Sequence, residues 1–163
     1  MIAVATALAL WAGGLPSLFK ATGFERIAPA RGWVLEIKTD SFTGTRICTI
    51  KSRGVIYRHG VVAFRFGGWT DTANALYRID QGKVQSAGEV ATEAAGLGAH
   101  FRSQNLENPS DGRVFIPGHY LASADSITIR PNGRSTPRKF SLIGLGSSLV
   151  VASAKGCESG PSL

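Results

Sequence analysis

The sequence predicts a mainly β protein: one β-sandwich or small barrel-like domain with a C-terminal helix packed against it. Three observations carry that expectation. Short runs rich in β-branched and aromatic residues alternate apolar with polar side chains; turns bearing Gly, Pro, Asn or Asp separate them; and apolar residues at helical spacing occur convincingly only near the C-terminus.

Taken in order, residues 1–19 carry no charged side chain, and 2–12 (IAVATALALWA) are apolar apart from Thr6. Such a run rises only about 16 Å as a helix, short of a hydrocarbon core of roughly 30 Å, and Gly13, Gly14 and Pro16 disfavour a longer one. Residues 1–19 therefore read first as a signal peptide, with an uncleaved N-terminal anchor or a buried N-terminal helix as alternatives. No basic n-region precedes the run; Lys20, Arg26 and Arg31 all follow it. Residues 20–32 read as a linker and 33–163 as a single mostly β domain.

Trp33–Lys38 (WVLEIK) alternates, the polar stretch 39–45 turns, and Arg46–Lys51 (RICTIK) alternates again, which together predict a hairpin. Val61–Phe66 and Ala75–Asp80 predict two more strands, the second followed by the turn chemistry of Asp80-Gln81-Gly82-Lys83. Ala87–Ala99 admits a short helix or a loop. A loop at 105–112 leads to a strand at Arg113–Ile116, one or two helical turns at Pro117–Asp125, and a strand at Ser126–Arg130 that stops at Pro131-Asn132-Gly133. Arg138–Ile143 is the last predicted strand. Leu145, Leu149 and Ala152 then share a helix face, and Gly156 suits its end.

A chain of 163 residues has room for one ordinary domain with a real core. With 44% hydrophobic and 18% charged residues it is neither a disordered tail, a coiled coil nor a polytopic membrane protein. Two cysteines exclude a dense disulfide scaffold and a tetra-cysteine zinc site. Cys48 and Cys157 lie in segments that read as core elements, with no CxxC. They predict a single bridge in an oxidising compartment, the alternative being two separately buried thiols in a reducing one.

GxSxG, HExxH, a P-loop and a helix-opening GxGxxG are all missing, so no catalytic residue is nominated and no cofactor or metal centre is expected. Gly144-Leu145-Gly146 reads as a tight strand-to-helix turn. His59 and His119 read as turn residues, His119 beside Tyr120 being the one to mutate first if activity were found; His100 falls in the ambiguous centre. Asp71 and Asp80 are spaced as turn formers rather than as an acid/base pair.

The basic residues say more. The formal net charge is +7, and arginine outnumbers lysine twelve to six. Arg46, Arg58, Arg65, Arg78, Arg113 and Arg130 lie in or beside predicted strands, where alternation places some of them on a solvent-facing sheet face. Arginine grips carboxylates and phosphates bidentately, which nominates these six as a candidate anion-binding set. Phe64, Phe66, Trp69 and Tyr77 are candidates to add stacking, against the plainer reading of a solvated basic face over ordinary core aromatics. Nothing clusters like a recognition helix or an RNP motif, so specific nucleic-acid binding is not expected.

Several of these residues also form a familiar pattern. Trp33, Asp40-Ser41-Phe42-Thr43-Gly44 and Cys48 at one end, Tyr77–Gly82 (YRIDQG) in the middle, and Ala122–Arg130 (ASADSITIR), Phe140–Leu145 (FSLIGL) and Cys157 at the other resemble the invasion-associated locus B family of bacterial envelope proteins. The resemblance covers about half the chain. It implies an exported, mostly β protein of the cell envelope without a known catalytic centre, sometimes associated with host-cell entry. The expectation is therefore a periplasmic or secreted, non-enzymatic binding or structural protein, whose partner is an anionic envelope component or another envelope protein. An anion-binding module for lipopolysaccharide, phospholipid or nucleic acid, and a hydrolase with an unrecognised site, are the other readings.

Overall fold

The computed structural model describes residues 23–99 and 112–157; the apolar leader, His100 and the loop 105–111 lie outside the described residues. Two antiparallel sheets form the body of the fold. The larger has six strands in the order β1 (Phe24–Ala30), β2 (Trp33–Thr39), β3 (Arg46–Ser52), β4 (Val55–Arg58), β5 (Val61–Arg65) and β8 (Arg113–Pro117). The smaller runs β10 (Arg138–Ser141), β9 (Ser126–Arg130), β6 (Leu76–Ile79) and β7 (Gln85–Ser86). Two helices, α1 (Ala91–Gly96) and α2 (Leu145–Ala154), and a single 3-10 turn at Gly118–Tyr120 complete the described chain. None of these helices is long and apolar enough to cross a membrane.

Alternation builds the sandwich. Trp33, Leu35 and Ile37 of β2 point to one face and are buried, and the register carries that face across the sheet through Leu35↔Ile50, Ile50↔Tyr57, Tyr57↔Val62 and Val62↔Ile116. The smaller sheet turns Tyr77, Ile127, Ile129 and Phe140 toward them, and one continuous core results. Phe140 of β10 meets Phe64 of β5 at 5.1 Å and Phe66 at 5.6 Å between ring centres, both at tilted or edge-on angles that aromatic quadrupoles favour. The predicted sandwich with its C-terminal helix is thus the observed fold.

Helix α2 closes one end, packing against β1, β2 and β3 through Leu145 and Ala152. Several ties hold it there. The Trp33 Nε1–H donates to the Ile143 carbonyl at 2.7 Å, Lys155 pairs with Glu25 at 2.8 Å, and a disulfide joins Cys48 of β3 to Cys157 just past the helix, with Cα atoms 5.7 Å apart. Of the two readings of the cysteines, the bridge is the one the structure contains.

Three strands differ from expectation. The stretch 20–32 is not simply a linker, because Phe24–Ala30 forms β1 on the sheet edge. Its edge position explains why no alternation announced it: every residue from Phe24 to Arg26 is exposed and only Ile27, Pro29 and Ala30 are partly covered. Val55–Arg58 and Gln85–Ser86 are strands too short for a period-2 pattern. The hairpin between β4 and β5 turns on His59 and Gly60, both at positive φ (50° and 81°), the geometry of a type I′ turn that matches the sheet's own twist. That assigns His59 the turn role its neighbours suggested. The ambiguous centre resolves in part into α1, which lies against β8.

Candidate functional site

Residues that alternate away from the core of the six-stranded sheet build its outer face. In register, Ile56 of β4, Ala63 of β5 and Phe115 of β8 form one apolar row across three strands. Helix α1 covers part of that face: Ala94 is fully buried against Val61 and Phe115, with Leu97 and Ala99 beside them. What the helix leaves open is a groove of about 430 Å³, within the size range of small-ligand sites. Its far wall is Gly98 and Ala99.

The rim is cationic. Arg58 flanks the apolar row on one side, Arg65 and Arg113 flank it on the other, and Lys51 of β3 continues it in register with Ile56; no aspartate or glutamate lines the groove among the described residues. Arg65 and Arg113 stand directly opposite each other across the β5–β8 ladder. Like charges so placed repel, and an anion bridging them would convert that repulsion into attraction. Lys51 is held by an ion pair with Glu36 of β2, whereas Arg58 and Arg65 are exposed and have no carboxylate partner among the described residues. A smaller recess of about 80 Å³, lined by Arg65, Arg113 and the glycines Gly67, Gly68 and Gly112, adjoins the Arg65 end. Gly112 is required there: its φ is +65°, and a Cβ on it would sit 1.6 Å from the Gly67 carbonyl oxygen.

Of the six nominated arginines, three converge here and three do not. Arg46, at the start of β3, donates to the Lys155 carbonyl and helps fasten the end of α2. Arg78 and Arg130 belong to the other sheet, where they share its outward face with Lys139; Arg78, Thr128 and Lys139 form one cross-strand row. The molecule therefore presents two basic faces on opposite sheets rather than one. The nominated stacking aromatics are largely spent on the core: Phe64 and Tyr77 are buried and Phe66 packs on Phe140. Trp69 alone of the four stands wholly in solvent, one residue past Gly68 of the small recess. No family model, curated protein or solved structure matches this chain.

Titratable residues elsewhere are mostly structural. Asp80, itself at φ 47°, accepts from the Ser126 N–H at 2.8 Å and the Ser126 hydroxyl at 3.1 Å, tying the β6–β7 turn to β9. Asp71 accepts from the Ala73 N–H as a turn former does. Asp40 caps the β2–β3 turn by accepting the Phe42 and Thr43 N–H groups at 2.8 Å each, and those bonds, Thr43's first, hold its carboxyl below the ordinary aspartate value. His119 lies 3.5 Å from Glu93 and stacks on Tyr120, whose hydroxyl donates to Glu93 at 3.3 Å. The Glu93 charge raises the Tyr120 pKa, and the trio fastens α1 to the 3-10 turn. It stands half-exposed and does not line the groove.

Proposed function

We propose that this protein is an exported, non-enzymatic binding module of the cell envelope, and that it holds an anionic envelope component in the groove on the outer face of the six-stranded sheet. The observation that carries the binding half is the convergence of Lys51, Arg58, Arg65 and Arg113 on one groove with no lining carboxylate among the described residues. Guanidinium groups fixed on strands give oriented, charge-assisted hydrogen bonds without the entropy cost of ordering a loop. The disulfide supports an oxidising compartment, and the apolar leader and the resemblance to the invasion-associated locus B family support export to a bacterial envelope.

Two measurements test the two halves. Cell fractionation with N-terminal sequencing of the mature chain is expected to find it outside the cytoplasm; recovery of an uncleaved, reduced protein in the cytoplasm would overturn export. For binding, a polysulfonated pyrene dye is expected to bind with an affinity that falls steeply as salt rises, because exposed ion contacts are screened over about 10 Å at 0.1 M salt. Arg58→Ala with Arg65→Ala should weaken it by tenfold or more, roughly the worth of one charge-assisted bond. Arg78→Ala with Arg130→Ala, on the other sheet, should leave it nearly unchanged. Binding that ignores salt, or that follows the second pair rather than the first, would refute the groove.

A further inference from the structure

The distribution of charge within the groove says more about its occupant than the charge itself. The cations do not pool at one point. Arg58 stands opposite Val61 on β5, and Arg65 follows Val61 by four residues, so the two ends are about 13 Å apart along the strands at the usual rise. Between them lies the Ile56, Ala63 and Phe115 row, walled by Ala99. We infer that the ligand is two-headed: a molecule with an anionic group at each end and an apolar span between them, one head between Arg65 and Arg113, the other at Arg58.

This rests on the anion-binding reading above and narrows it. A compact anion such as inorganic phosphate reaches only one end and leaves the apolar row wet. A continuous polyanion must lay hydrated charge across that row, where the cation in register with it, Lys51, is already paired with Glu36. A single-headed amphiphile covers the row but leaves either Arg58 or Arg65, neither of which has a carboxylate partner among the described residues, without a counter-charge. Only a dianion with an apolar middle meets all three zones, and strands fixed by the β4–β5 and β5–β8 ladders set the spacing it must match.

The test is a chain-length series of α,ω-alkane dicarboxylates, from butanedioate to hexadecanedioate, titrated calorimetrically into the full oxidised chain beside the matching monocarboxylates and tripolyphosphate. Affinity is expected to peak at an intermediate length, with the best dicarboxylate about tenfold tighter than the monocarboxylate of equal length. Arg58→Ala should erase that advantage, bringing the dicarboxylate down to its monocarboxylate, while an unchanged thermal melt shows that the variant is folded. Affinity that rises with length without a peak, a monocarboxylate that binds as tightly, or tripolyphosphate that binds tighter than every dicarboxylate would overturn the two-headed ligand and leave the anion groove standing. Failure of every anion to bind would overturn both.

Discussion

Removing the disulfide, by Cys48→Ala with Cys157→Ala or by reduction of the native chain, tests how the sandwich is held shut. The bridge spans 109 positions, which encloses β4 to β10, most of β3 and both helices. In the chain-entropy account, a cross-link closing a loop of that length removes up to about 4.7 kcal/mol of unfolded-state entropy. The native geometry is relaxed by the measure of its Cα separation, 5.7 Å, so little of this should be lost to distortion. Folded-state ties between the same elements, Trp33 to Ile143 and Lys155 to Glu25, survive in the variant and keep it folded. We therefore expect a loss of roughly 3–5 kcal/mol, a fall in Tm on the order of 10–20 °C, and a larger denaturant slope because the unbridged chain exposes more surface when unfolded. Guanidinium titration followed by tryptophan fluorescence, to which the buried Trp33 contributes, reads the loss and the slope, and a thermal melt reads the Tm. A loss below about 1 kcal/mol with an unchanged slope would refute the argument, since the bridge would then constrain nothing in the unfolded ensemble.

Other perturbations probe single contacts. Trp33→Phe keeps an aromatic ring in the core but deletes the bond to the Ile143 carbonyl, and chemical denaturation should show a loss of about 1–2 kcal/mol. Asp80→Ala removes the bonds to Ser126 and forces a Cβ residue without local compensation into a left-handed conformation, together worth roughly 2–4 kcal/mol; Asp80→Gly should cost less, the difference reporting the backbone share. Glu93→Gln should bring the Tyr120 titration down toward 10.0, read as phenolate absorbance against pH. The sign follows from linkage: a raised folded pKa means the neutral phenol is favoured in the fold, so its contribution is present below the ordinary value and lost as pH rises through the folded one.

The strands legible in the sequence are those with one buried face and enough length to show it, such as Trp33–Thr39 and Ser126–Arg130, where every second residue is buried. Phe24–Ala30 was illegible because an edge strand covered on little of its length has no apolar period to display, and Val55–Arg58 because four residues are too few. The arginines expose a different limit. Alternation tells which side of its own strand Arg78 or Arg113 takes, but not that β8 crosses back to pair with β5 while β6 pairs with β9. Long-range pairing therefore decided which arginines met. Lys51 went unnominated although its signal was present: Cys48 and Ile50 point inward, so Thr49 and Lys51 must face the groove. The apolar row between the cations was beyond reach for the same reason as the arginine grouping, since Ile56, Ala63 and Phe115 come from three strands and only their register aligns them.

The single bridge also bears on how the chain reaches its native state. Several cysteines would admit rival pairings, each a trap that exchange must undo, whereas two admit only one intramolecular partner. Cys157 follows every strand and helix of the described fold, so Cys48 waits as a thiol until the last element has been made. Maturation then calls for an oxidant and no disulfide shuffling, and the protein should refold from its reduced, denatured form with simple oxidation kinetics at any concentration low enough to keep two copies from pairing first.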